Sequence, residues 1–357
     1  MKKCLSIFSL LTIATFFLFG CRKTGLTEDQ VESTVKRKGA STETLVPPDV
    51  YVVGAVSGQA VVWKNGGVAT PLTGGVEATG IVVVGTDVYV CGRGFNSTTF
   101  NNVAMYWKNG VQTVLSDGTT EVRPNGIAVS GSDVYVTAQV GILGYESVYY
   151  LNGVAHPLGT SATINRVWGV VTDEFGSFYI PGAREGFPSY WLNGTLQSRL
   201  PGGSNVYSVV KAMAVEGGHV YAVGHDYVSQ SYMPLYWKDG QTMSIGGIGG
   251  EPKAVAVRAN GDAVIAGTYG PIDNVKIAYW PMLVPGEPPV TLSVGRSVSN
   301  VGVAVDQTAD EIYVCGTDDD NLFAGSKAKY WKISSSGASI PVPLHSNGTA
   351  NAIALGY

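Results

Sequence analysis

The sequence is poor in charge. Only 14% of its residues are Asp, Glu, Lys or Arg, against roughly a quarter in soluble domains at large. Acids outnumber bases by 27 to 23, for a net charge of −4. Loss of Lys2 and Lys3 with a leader would make it two units more negative. No basic surplus is available to neutralise phosphates, so nucleic acid and an anionic membrane face are excluded as partners. Metal-ligating and nucleophilic residues are equally sparse. The four histidines, His156, His219, His225 and His345, share no ligand spacing. Neither a Gly-x-Ser-x-Gly elbow nor a His-Glu-x-x-His helix motif is present. A sialidase-type Ser-x-Asp-x-Gly-x-x-Trp box is also lacking, with only its centre matched at Ser116-Asp117-Gly118-Thr119. No cofactor, no metal and no catalytic residue is assigned.

Long apolar runs are lacking too, apart from Leu5 to Phe19, which is too short to span a bilayer. With Lys2 and Lys3 before it and Gly20-Cys21 after it, residues 1–20 read as an export leader. Leu18-Phe19-Gly20-Cys21 resembles the bacterial lipoprotein cleavage box, which implies lipidation of Cys21; ordinary leader cleavage with Cys21 incidental is the alternative. Residues 21–48 are polar and charged, too poor in large apolar side chains to offset the entropy of ordering. They form a tether with a root-mean-square reach of about 30 Å. Arg22 stands where Asp favours inner-membrane retention in some bacteria, so the expected address is the outer membrane, reached through the lipid anchor alone.

What the chain has in abundance is repetition. Residues 49–357 carry an aromatic pair at intervals of roughly 45 residues: Val62-Trp63, Tyr106-Trp107, Tyr149-Tyr150, Tyr190-Trp191, Tyr236-Trp237, Tyr279-Trp280 and Tyr330-Trp331. An alternating strand precedes each pair, as in Val88-Tyr89-Val90, and an Asn-Gly turn such as Asn109-Gly110 follows several of them. Four strands per unit and seven units predict an all-β, seven-bladed β-propeller. A spacing near 45 also fits helical repeats, but period-2 alternation and the turn residues exclude helices. The first unit lacks its innermost strand, and Asn351 to Leu355 match Asn125 to Val129 of the third. Residues 351–355 are therefore expected to close the ring in the first blade, removing two sheet edges. Pro71, Pro157, Pro341 and Pro343 mark the outermost strands, where a missing N–H is tolerated.

Cys91 and Cys315 occupy the same position in the second and seventh units, too far apart for a disulfide, and are expected as buried free thiols. The repeated aromatics are expected to pack between blades, with stacking platforms for sugars as the alternative. Trp168 stands outside the repeat and beside a channel-lining strand.

Two loop sets should share one face. One joins the second and third strands: Arg93, Phe95 and Phe100; Tyr145; Arg184, Glu185 and Phe187; His225, Asp226, Tyr227 and Tyr232; Tyr269 and Asp273; Asp318, Asp319, Asp320 and Phe323. The other enters the innermost strands: Glu77 and Thr79, Arg123 and Asn125, Arg166 and Trp168, Lys211, Glu251 and Lys253, Arg296 and Asn300, and Asn351. From the second set Arg123, Asn125, Arg166, Trp168, Lys211, Lys253 and Asn351 are the candidate ligand-binding residues, suited to a polar or anionic ligand. A solvated rim without ligand is the alternative. Asp318-Asp319-Asp320-Asn321 offers oxygens that calcium prefers but lacks the spacing of a loop site, so an acidic surface loop is expected.

The unit Val-Tyr-Val-x-Gly, loop, Ala-x-Tyr-Trp-Lys-Asn-Gly, as in residues 88–110, resembles repeats of secreted β-propeller lipoproteins of the Bacteroidetes type and, more distantly, extracellular HAF-type repeats. That resemblance implies surface display and a binding or scaffolding role, with a glycan or protein as ligand, and carries no catalytic residue. A monomeric head is expected. A carbohydrate-active hydrolase or lyase on the same face, with Glu185, Asp226 and Asp273 as its carboxyls, and a structural subunit of an envelope complex are the other readings.

Overall fold

The computed structural model describes residues 46–357 except 160–164, 198, 204–206, 244, 272–273, 282–286, 294, 298–299, 320–324 and the side chains of Arg296 and Ser297. The leader, Cys21, nearly all of the tether, Asp273, Asp320 and Phe323 lie outside the described residues. The chain divides into Met1–Thr44 and Leu45–Tyr357. The second unit is a seven-bladed β-propeller, each blade built on four antiparallel strands, with no helix among the described residues. Two innermost strands, in blades 4 and 7, are broken in two: Asn165–Val167 with Val171–Thr172, and Arg296–Ser297 with Gly302–Asp306.

Ring closure is by strand exchange between the two ends of the described chain. Asp49–Val56 is flanked on one side by Gln59–Lys64 and on the other by Gly348–Gly356, with Val50 opposite Leu355 and Val52 opposite Ile353. The C-terminal strand thus runs innermost in blade 1, as the sequence predicts. Outermost strands include Thr70–Pro71, Val154–Pro157 and Ser339–His345, which carry the four marker prolines where no further strand needs their N–H.

Sheets covered on both faces need near-continuous apolar runs in their central strands, and the core reflects this. Buried apolar residues of the described chain sort into seven clusters, one at each blade-to-blade interface. The aromatic pair supplies the largest members: Trp63 and Trp107 are 0% exposed and Trp237 1%. Each such ring removes roughly 200 Å² from water, worth about 5 kcal/mol at about 25 cal/mol per Å². Several also stitch neighbouring blades, the indole N–H of Trp107 donating to Thr73 O at 2.9 Å, that of Trp237 to Pro201 O at 2.7 Å and that of Trp280 to Gly246 O at 2.9 Å. Cys91 and Cys315 are buried and unbridged, and burial pushes both thiols up to about 12.

The Asp-x-Tyr and Lys-Asn-Gly parts of the repeat meet at one end of each blade. In blade 2 the Asn109 carboxamide accepts from Val88 N at 2.8 Å and donates to Asp87 Oδ1 at 2.7 Å. Lys108 Nζ lies 2.8 Å from Asp87 Oδ2 and 5.1 Å from the Tyr89 ring centroid. Blade 1 repeats the arrangement with Asp49, Tyr51, Lys64 and Asn65. Asn65, Asn109, Asn152, Asn193 and Asp239 sit at φ 50 to 53°, each followed by a glycine at positive φ, the two-residue turn that matches strand twist. The most conspicuous sequence motif is therefore a turn clasp.

Candidate functional site

At the other end of the strands one backbone irregularity positions the candidate residues. The innermost strands of blades 1, 2, 3, 5 and 6 each carry a β-bulge, in which one residue has no opposite number. Those residues are Asn351, Thr79, Asn125, Lys211 and Lys253, and the bulge turns each side chain toward the channel. Trp168 and Asn300 lie at the corresponding breaks in blades 4 and 7. At the glycine closing Tyr-Val-x-Gly the neighbouring strand's backbone comes close, although Ala138 holds that place in the equally bulged blade 3. A Cβ at Gly92 would stand 2.2 Å from Glu77 O, and the same approach recurs at Gly54, Gly182, Gly224 and Gly267.

Three ring members are bonded to the next blade. Asn351 Nδ2 donates to Ala78 O at 2.9 Å, Thr79 Oγ1 to Pro124 O at 3.0 Å and Asn125 Nδ2 to Val167 O at 2.6 Å. Asn125 and Asn351 thus hold adjacent blades together. Arg123 pairs with Glu121 at 2.7 Å and lines neither of the large cavities described below. The remaining four candidates come together in blades 4 to 6.

Glu251 is the centre of that group. Its carboxylate lies 3.4 Å from Lys211 Nζ, 3.4 Å from Lys253 Nζ and 3.7 Å from His225 Nδ1. Burial raises the Glu251 pKa, but the Lys253 and Lys211 charges outweigh it and hold the carboxyl below its ordinary range. Burial also lowers the Lys211 ammonium, with Glu251 opposing the shift and Lys253 and Arg166 adding to it. His225 is buried, and its Nδ1 has no hydrogen-bond partner among the described residues. Desolvation, followed by the Lys211 charge, drives its pKa down to about 4, so it is neutral at neutral pH. Two cations, Lys211 and Lys253, stand around this one carboxylate, and the charge of Arg166 bears on Lys211.

Aromatic faces adjoin these charges. Lys211 Nζ is 4.6 Å from the Trp168 ring and the Arg166 guanidinium 5.1 Å from that of Tyr145. His225 meets the Tyr232 ring edge-on at 4.6 Å, and Tyr232 is tilted against Tyr227 at 5.2 Å. A cavity of 930 Å³ opens among Tyr145, Arg166, Trp168, Lys211, Tyr207, His225 and the Tyr227–Tyr232 pair. A second, of 1020 Å³, lies on the far side of that pair toward Glu251, Lys253, Thr268, Tyr269 and Asn351.

Other loop candidates are otherwise engaged. Asp226 is buried and accepts from Ser208 Oγ at 2.7 Å and from Tyr227 N at 2.8 Å. Glu185 pairs with Arg199 at 3.3 Å. Asp318 is fully buried with Lys329 Nζ 2.8 Å away, so the first residue of the acidic run is an interior ion-pair partner and no part of a surface loop. Sequence reasoning placed His225 and Glu251 in different loop sets and did not single out Tyr207. The signal for the first two is a departure from the repeat: blades 5 and 6 carry lysines at the bulge where blades 1 to 3 carry Asn or Thr.

Fold and site together define a seven-bladed propeller with a cationic, aromatic-walled loop face. No family model matches the sequence, and no curated protein matches it. Among solved structures, TolB from Acinetobacter baumannii is similar with a TM-score of 0.47 and 11% identity, over 77% of this chain and 68% of that one. The extracellular domain of a protein described as a hybrid two-component system from B. thetaiotaomicron gives a TM-score of 0.43 and 12% identity over 82% of this chain. The match spans 45% of that longer chain. An ulvan lyase bound to -[GlcA(1-4)Rha3S]- gives 0.45 and 10% identity, over 77% of this chain and 81% of that one. At such identities the likeness concerns the fold.

Proposed function

We propose that the protein is a non-enzymatic recognition module of the cell envelope, a monomeric head held at the outer membrane by a lipid on Cys21, which binds an acidic glycan on its loop face. The observation that carries this reading is the 930 Å³ cavity in which Trp168 and Tyr145 offer ring faces beside the cations Lys211 and Arg166. Ring faces suit the C–H faces of a sugar, and a convergent ammonium and guanidinium suit a carboxylate or sulfate. Glu251 is shared by Lys211 and Lys253, and the Arg166 charge also bears on Lys211, so a bound anion would relieve a charge imbalance that the burial of Lys211 makes costly.

The test is a binding survey of the purified protein against uronate-bearing, sulfated and neutral polysaccharides, with product analysis of every mixture. Binding confined to acidic polysaccharides, without cleavage, supports recognition. Equal binding of neutral ones overturns the assignment of charge, and release of products replaces it with a carbohydrate-active hydrolase or lyase. Retention of the Cys21→Ser variant in the membrane fraction would overturn the anchor.

A further inference from the structure

The two large cavities are neighbours. Tyr227 and Tyr232 line both; they face one another across the hairpin of blade 5 and form a ridge between the two spaces. The charges on either side of that ridge differ. On the Trp168 side stand Arg166 and Lys211, and Glu185 of that wall is paired with Arg199. On the Tyr269 side Glu77 is met by Arg93, and Glu251, which lines that cavity, lies 3.4 Å from Lys253 and 3.4 Å from Lys211, so that Arg166 is the cation in excess on the Trp168 side. Among the described residues the remaining polar groups of that wall, including Thr268, Tyr269 and Asn351, are uncharged. At 930 and 1020 Å³ each space is at the upper end of the range that encloses a drug-sized ligand, so a single sugar fills neither.

Building on the glycan-binding reading above, we infer that the ligand is a chain which crosses the Tyr227–Tyr232 ridge, seating an acidic unit against Arg166 and Lys211 and an uncharged unit in the Tyr269 cavity. The ridge supplies a ring face at the linkage between the two units. Specificity then lies in the order of charge along the polymer, and affinity grows with length until both cavities are filled.

Two size-defined ladders test this by titration calorimetry on the full chain: hyaluronan oligosaccharides, in which glucuronate alternates with an uncharged sugar, and oligogalacturonates, in which every unit is acidic, with free glucuronate as the shortest probe. The expected result is at least a tenfold gain in affinity from glucuronate to the hyaluronan tetrasaccharide, and a smaller gain for the fully acidic tetramer. Tyr269→Ala should return the tetrasaccharide to the affinity of glucuronate and leave glucuronate itself unchanged. Ile248→Trp, at a wall residue of the second cavity that is 70% exposed and remote from the core, should do the same by filling the space. Arg166→Ala should weaken every probe. Glucuronate and tetrasaccharide binding equally, with Tyr269→Ala and Ile248→Trp silent, would overturn the chain inference and leave the acidic-glycan site standing. A greater gain for the fully acidic ladder would overturn the neutral second subsite. If no member of either ladder binds, the glycan reading falls and this inference with it.

Discussion

The two ends of each blade obey opposite rules. At the clasp end Asp, Lys and Asn recur from blade to blade with hydrogen bonds that differ by about a tenth of an ångström between blades 1 and 2. At the loop end the bulged position changes identity around the ring, from Asn and Thr to Lys. Repetition marks what every blade needs in order to turn and to pack. Departure from it marks where the ring is asymmetric, and the convergence of Lys211, Lys253 and Glu251 is the largest departure.

That contrast is breakable in three places. Trp107→Ala removes a fully buried indole and its bond to Thr73 O, and should cost about 3–5 kcal/mol of stability. Trp168→Ala, at the half-buried loop end, should leave the melting temperature within a few degrees and abolish acidic-glycan binding. Thermal melts and titrations of the two variants side by side check the division, and a Trp168→Ala protein that binds normally would erase it.

The second break uses pH. His225 has a folded-state pKa lowered to about 4 from 6.5, chiefly by desolvation, with Lys211 and Lys253 adding to the shift and Glu251 and Asp226 opposing it. The unfolded chain therefore binds more protons than the folded one between those values, so stability attributable to a neutral His225 is complete above about pH 6.5 and is lost as pH falls toward 4. The loss is on the order of 3 kcal/mol for a shift of this size. His225→Gln should flatten the dependence of melting temperature on pH in that window, and parallel profiles for the two proteins would contradict the assignment.

The smallest effect belongs to the clasp. Asn152 accepts from Val134 N at 2.9 Å and donates to Asp133 Oδ1 at 2.8 Å, at φ 51°. Asn152→Gly keeps the positive φ and removes only the side-chain bonds, for a loss of about 1 kcal/mol with binding unchanged. Chemical denaturation resolves a change of that size, and weakened glycan binding in this variant would show that the two ends are coupled.

The fold was legible because a propeller writes itself once per blade. The aromatic pair, the Asn-Gly turns, the edge prolines and the match of Asn351–Leu355 to Asn125–Val129 are local patterns, each with a local physical cause. The site was legible only in part. Trp168, Arg166, Lys211 and Lys253 stood out as polar or aromatic residues beside channel strands, and they do gather. Asn125 and Asn351 stood out for the same reason, yet their amides bond to the next blade, a partner some forty or more residues away in sequence for Asn125 and at the other end of the chain for Asn351. Arg123 is neutralised by Glu121, two positions before it on the same approach to the strand. What could not be read was which side chains from separate blades share a charge, since Glu251, His225 and Lys211 meet only when the ring exists.

The pairing of Asp49–Val56 with Gly348–Gly356 sets an order of events. A ribosome making this chain delivers the partner of the first described strand some three hundred residues later. Until then blade 1 presents an open edge and every interface that depends on closure waits. The ring is kept from finishing its fold until the last of these strands has emerged, so the last residues made set the moment at which the whole propeller locks.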